Sequence, residues 1–298
     1  MKIFKVILII LCGLVFVTVI GAVIFVKTFD VNKYKSQIIS QAKTALNRDI
    51  NFDKAKLDIT LTRGISLDIA NLVISEDPSF GKGDFLSVKE LSVSVDVLGY
   101  LFKKQINIPG IVIDSPKVAV IRQKDGAINA ARFGQPAAIS NPPAAAPAEV
   151  SAPQAAAPVV LPAIMVSSLK LSGGEVTYID NSFTPPVCFE VKDLFVDVKN
   201  ISLTKPFSFN VEAAVLSSRK NINIDGKAQI NLPTNEITVF DLKVVSDLSE
   251  LLLDKIAVSL PMLKDAPLPQ ALKGDLEIKL DKLSAGPKGL SDIEADVV

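Results

Sequence analysis

The sequence predicts a mostly β protein: an N-terminal transmembrane helix plus an amphipathic helix, then an antiparallel sheet with one apolar face and a few short helices. Three observations carry this. Val6 to Val26 is an uncharged apolar run. From residue 50 onward, segment after segment alternates apolar and polar side chains. The composition is 49% hydrophobic but only 6% aromatic, without tryptophan, which is the make-up of half-buried aliphatic strands.

The apolar run comes first. Its twenty-one residues would span ~30 Å as a helix, about one hydrocarbon core. A cleaved signal peptide is the competing reading, but its apolar stretch is usually ~7–15 residues and ends in a small-x-small site. This run is longer and closes on Ile24-Phe25-Val26-Lys27, so an uncleaved anchor is expected. Lysines do not orient it, since Lys2 and Lys5 precede it and Lys27, Lys33, Lys35 and Lys43 follow. Large downstream domains translocate largely regardless of charge, so the N-terminus is expected inside and the body outside.

Asp30 can cap the next helix, in which Val31, Tyr34, Ile38, Ala42, Ala45 and Leu46 recur at helical spacing. Lys33, Lys35, Gln37 and Lys43 oppose them, and the helix should end near Asn47. Its apolar face can pack on the protein's own strands or lie on the membrane surface; the strands are the plainer expectation. From Ile50 the period becomes two. Leu57-Ile59-Leu61, Ile65-Leu67-Ile69, Leu91-Val93-Val95-Val97, Ile106-Ile108 and Ile111-Ile113 each alternate with polar residues. Parity slips at Asn71 and around Lys89-Glu90, which reads as bulges that re-aim the apolar face.

Residues 134–163 differ: eleven are Ala, seven are Pro, and no apolar period survives, so a disordered linker is expected. The domain plan is therefore an anchor (1–28), a helix with a first strand block (29–133), the linker (134–163) and a second strand block (164–298). In that last block Leu169-Leu171, Val176-Tyr178, Val187-Phe189-Val191, Leu194-Val196-Val198 and Phe207 to Val215 alternate, as do Ile222-Ile224 and Leu242-Val244. Residues 247–273 read as short helices broken by Pro261, Pro267 and Pro269. Alternation returns at Leu276-Ile278-Leu280 and Ile293-Ala295-Val297. The sequence stops at Val298 within that pattern, which reads as a shortened or truncated member of its kind.

Chemistry is largely excluded. There is no histidine, which removes Ser-His-Asp and Cys-His catalysis and His-ligated metals. Thirty-two basic residues balance thirty-two acidic ones, against nucleic-acid binding through phosphates. Gly81-Lys82-Gly83 lacks the phosphate-loop spacing and reads as a turn. Cys12 lies in the apolar run, leaving Cys188 as a small filler. No catalytic residue, cofactor or metal site is expected, and no enzyme.

The layout as a whole is more specific. A Lys-bearing tail, one span, Phe29-Asp30-Val31-Asn32-Lys33-Tyr34-Lys35 opening a helix and Asn47-Arg48 entering strands together resemble the N-terminal region of AsmA-family proteins. The resemblance continues through Ile111-Val112-Ile113-Asp114-Ser115-Pro116-Lys117-Val118 and through Arg122 to Asn129, with its Asp125-Gly126-x-x-Asn129 element. After the Pro/Ala-rich stretch come Leu169-Lys170-Leu171-Ser172-Gly173-Gly174 and Tyr178-Ile179-Asp180. Asn47 stands where a Gly often precedes the Arg, Ala130 where an aromatic is common, and many family members continue through further strand repeats.

What the resemblance implies is a single-pass inner-membrane protein with a cytoplasmic N-terminus and a periplasmic body. It implies a long, bent antiparallel sheet with an apolar groove that carries phospholipid acyl chains. The candidate groove residues are Leu91, Val93, Val95, Val97, Val196, Val198, Phe209 and Val211. The expected function is binding phospholipid and assisting its transport to the outer membrane, with membrane phospholipids as partners and no cofactor. The alternative is an outer-membrane assembly or envelope scaffold factor without lipid carriage, whose partners are other envelope proteins.

Overall fold

A computed structural model gives the fold. It describes residues 28–60, 64–96, 106–132, 164–231, 233–252, 272–286 and 289–297, with residues 99, 259 and 260 besides. The readings placed on Val6 to Val26, on Val97, on the 134–163 linker and on most of 251–271 fall outside the described residues. Among the described residues no helix is long and apolar enough to cross a membrane.

The Asp30 carboxylate accepts the Asn32 N–H at 3.0 Å and caps a 3-10 turn, Val31–Tyr34. Helix α1 (Lys35–Leu46) follows directly and closes at Asn47, a left-handed residue (φ 52°) whose N–H reaches the Lys43 carbonyl at 2.8 Å. The expected stop is where the helix stops.

Fourteen strands follow among the described residues. The first block holds β1 (Ile50–Asn51), β2 (Lys54–Thr60), β3 (Gly64–Ser75), β4 (Asp84–Val95), β5 (Ile106–Ile108), β6 (Gly110–Asp114) and β7 (Lys117–Arg122). The second holds β8 (Ile164–Asp180), β9 (Val187–Ser202), β10 (Phe207–Val215), β11 (Ile222–Asn231), β12 (Glu236–Asp247), β13 (Asp275–Gly286) and β14 (Gly289–Val297). Of the short helices expected over 247–273, the described residues show a 3-10 turn, Leu248–Glu250.

All fourteen strands share one sheet, in the order β1-β3-β4-β6-β8 and then sequentially to β14. β2 pairs with β3, β5 with β8, and β7 with both β4 and β8. The expectation of an antiparallel sheet holds everywhere except at β8, where β5, β6 and β7 run parallel to it. No hairpin can close a parallel pair; it needs a crossover of about a dozen residues or more. Residues 123–163 are that crossover, and it joins the two strand blocks into one sheet.

The parity slips are real, but neither of them is a bulge. Asn71 is left-handed (φ 52°), a conformation that Asn tolerates, yet β3–β4 pairing passes from Ala70↔Glu90 to Leu72↔Val88 in one register. Asn71 and Lys89 stand opposite each other, so both strands turn over together. Ser115 (φ 49°), between β6 and β7, and Gly173 (φ 62°) and Asp193 (φ 48°) are left-handed at the same level, where the β8–β9 register shifts on either side of Gly174. They line up across the sheet, because Glu90 pairs with Asp114, Asp114 with Ser172, and Gly174 with Leu194. The result is a crease through five neighbouring strands.

Buried apolar side chains are few. One cluster gathers Val31, Phe52 and Ala55, with Phe29, Ile39, Leu57, Leu67, Ile69 and Leu72 packed against it. The 3-10 turn and α1 therefore sit on the apolar side of β2 and β3, as the plainer expectation had it. However, α1 itself buries no residue completely.

Candidate functional site

Opposed residues of paired strands share a face, so the registers show which side chains stand in line. One row runs Leu57, Leu67, Val93, Ile111, Leu169, Val198 and Phe209, crossing seven strands pair by pair. Phe209 opposes Gly226. A Cβ on that glycine would lie 2.8 Å from Phe209 Cζ and 3.3 Å from Leu242 Cδ1, so the ring and Leu242 close over it. Leu242 then pairs with Leu280. The second row runs Ala55, Ile69, Leu91, Ile113, Leu171, Val196, Val211, Ile224, Val244 and Ile278. Neither row contains a polar side chain.

The two rows are adjacent, two residues apart on each strand, and both cross from β2 to β13. Nine steps of ~4.8 Å make an apolar track of about 43 Å at right angles to the strands. Apart from Ala55, no member of either row is buried; each is half-buried. A sealed core would bury such residues almost completely.

The opposite face is polar and internally bonded. Ser92 Oγ donates to Asp68 Oδ1 at 2.5 Å, and Lys89 Nζ lies 3.0 Å from Asp114. A shallow cleft of about 470 Å³ there is lined by Asp58, Asp68, Glu90, Asp114 and serines. Among the described residues no group of three His, Cys, Asp or Glu side chains is placed to hold a metal ion. Cys188 is exposed, and partial burial of its sulfur pushes the thiol above its ordinary value, with Glu190 adding to this. That is the opposite of an activated nucleophile.

The motifs that carried the family resemblance form buried polar knots. Arg48 Nη1 lies 3.3 Å from Asp77, both inside the protein. Asp77 accepts the Ser79 N–H at 2.9 Å and the Ser79 hydroxyl at 2.8 Å. Asn129 is 0% exposed; its Oδ1 accepts from Ile121 N–H and Ala130 N–H, and its Nδ2 donates to the Ala119 carbonyl and to Glu76. Asp180 accepts the Ser182 hydroxyl at 2.5 Å and N–H at 2.9 Å, with Tyr178 and Arg122 at 3.3 Å. These residues position backbone turns, and none of them lines the apolar track.

Of the sequence-derived candidates, Val93, Val198 and Phe209 fall in the first row, and Leu91, Val196 and Val211 in the second. Val95 heads a shorter row with Ile65 and Ile59. Val97 is not among the described residues. Sequence reasoning missed the four side chains that join these groups, Ile111, Ile113, Leu169 and Leu171, because they meet across the parallel β6–β8 pair. It also missed the continuation through Ile224, Val244 and Ile278, whose alternation was visible but whose alignment was not.

No curated protein matches the sequence. The profile of the AsmA family matches residues 1–283 of the 298, a span that takes in every residue of both rows, and the chain belongs to the AsmA family.

Proposed function

We propose that this chain lays phospholipid acyl chains along the two apolar rows, anchored in the inner membrane by Val6 to Val26 with its body in the periplasm. In that position it assists lipid transport to the outer membrane. The observation that supports the reading is the continuity of the rows together with their half-buried state. An apolar track that its own fold leaves partly wet gains ~0.8 kcal/mol for each methylene it covers, so ten methylenes contribute roughly 8 kcal/mol. Headgroups stay in water at the margin of the track. Membership of the AsmA family is consistent with a role in envelope lipid transport.

A photo-crosslinking residue at Val93 tests this against one at Ser92, which points to the other face. Capture of lipid from Val93 and not from Ser92 is the expected result. Val93→Glu should stay folded and lose lipid, because a carboxylate on an open track reaches water. Equal capture from both faces, or no capture and an unfolded Val93→Glu variant, would leave a packed sheet and the envelope-scaffold function.

A further inference from the structure

The apolar sector of α1 and of the turn before it is wider than the strands cover. At 100° per residue, Lys35, Ile39 and Leu46 lie on one side of the sector and Tyr34, Ile38 and Ala45 on the other. The first group faces the sheet: Lys35 Nζ is 5.0 Å from the Phe52 ring centroid, Ile39 packs on the Val31 cluster and Leu46 is half-buried. The second group faces away, with Tyr34 44% and Ile38 37% exposed and Ala45 exposed as well. The Tyr34 ring is stacked on Phe29 at 5.6 Å, so it is held in place rather than free to fold back.

Two further facts say what covers this face. The apolar run ends at Val26, five residues before Val31, so at ~3.5 Å per residue the turn begins within about 17 Å of the end of the span. From Val31 to Asn47 there are three lysines and no acidic residue; Lys35 lies over Phe52 and Lys43 pairs with Asp49, so it is Lys33, next to Tyr34, whose charge suits anionic headgroups. We propose that Tyr34, Ile38 and Ala45 lie on the headgroup surface of the anionic bilayer that holds the anchor. This rests on the anchor reading above. Tyrosine suits such a depth, with its ring in the apolar boundary and its hydroxyl in water. The covered area is small, but the anchor makes the contact intramolecular, so weak intrinsic affinity suffices. Docked this way, the β2 end of both rows is held at the bilayer.

The sequence has no tryptophan, so one introduced indole reports alone. Full-length Ile38→Trp and Ser40→Trp variants are reconstituted in vesicles of phosphatidylethanolamine and phosphatidylglycerol with acyl chains brominated just below the headgroup. The two positions lie about 200° apart around the helix. Bromine should quench the Ile38→Trp emission about twofold or more and leave Ser40→Trp nearly unchanged. Equal quenching at both positions, or at neither, overturns the proposal while the protein resists alkaline carbonate. Blue-shifted Ile38→Trp emission without bromine quenching indicates a protein partner and also overturns it. Release by carbonate with a shortened N-terminus overturns the anchor reading itself, and this proposal with it.

Discussion

Asn129 and Glu76 stand 53 residues apart in sequence and share a hydrogen bond of 2.5 Å inside the protein, the amide donating to the carboxylate. The bond ties the turn after β3 to the 3-10 turn after β7, Asn129–Arg132, at the end of the sheet's first block. With Asn129 also holding the backbone at Ala119 and Ile121, one side chain fixes how β7 leaves the sheet.

Asn129→Leu keeps the volume and removes every one of these bonds. Buried partners left unsatisfied cost ~1–3 kcal/mol each and do not add fully. The variant should lose about 3–5 kcal/mol, seen as a lower urea midpoint at unchanged slope. Asn210→Leu, whose bonds to Asn223 and Asp225 are exposed, should change stability by less than about 0.5 kcal/mol. Equal effects at the two sites would mean that Asn129 is not the tie it looks to be.

Acid should loosen the protein through Asp77 and Asp180. The Ser79 N–H holds the Asp77 carboxyl below its ordinary 3.8, against burial, with the Ser79 hydroxyl, Arg48 and Arg132 helping. The Ser182 hydroxyl does the same for Asp180, again against burial, with the Ser182 N–H, Arg122 and Tyr178 helping. A folded-state value below the unfolded one means that the unfolded chain takes up protons first as pH falls. The contribution is therefore full above about pH 4–5 and is lost as pH falls through the depressed values. Thermal midpoints of the wild type and Asp180→Asn should differ near neutrality and converge as pH falls through the depressed Asp180 value. A gap that persists undiminished in acid would show that the Asp180 charge contributes nothing.

The crossover has a minimum length. β7 ends at Arg122, which pairs with Asp180, while β8 begins sixteen residues earlier at Ile164. The chain must travel back ~53 Å at ~3.3 Å per residue. Deleting residues 137–160 leaves seven residues between Arg132 and Ile164, a reach of ~25 Å. That variant should lose β7–β8 pairing and become protease-sensitive. Deleting 143–154 leaves nineteen, enough for ~65 Å, and should shift the thermal midpoint by only a degree or two because closure entropy varies slowly with length. Full stability of the longer deletion would contradict the parallel register.

Alternation made the strands legible, because a one-sided sheet writes its inner face into every second residue. Leu91 with Val93, and Val196 with Val198, can be read that way from the sequence alone. Neighbourhood could not. The pairing of Ile111 with Leu169 and of Ile113 with Leu171 joins segments separated by the crossover, and two parallel strands carry no turn to announce them. The slip at Asn71 was visible as a change of parity, but its partner at Lys89 lies opposite, and a matched pair of slips keeps register where a single one would shift it. In α1 the period showed an apolar sector; which edge of it packs depends on where β1 to β3 lie.

The placement of β8 also sets an order of events during synthesis. β5, β6 and β7 present their outer edges until the residue that meets Arg122, Asp180, has been made, 58 residues later. At ~5–20 residues per second the ribosome leaves that edge open for about 3–12 s. Hairpin neighbours such as β9 and β10 find each other almost as they appear. An open edge is a template for the wrong strand, and the sequence places Pro109 and Pro116 along it, residues that cannot donate to an intruder. The seam that waits longest during synthesis thus carries two prolines along its open edge.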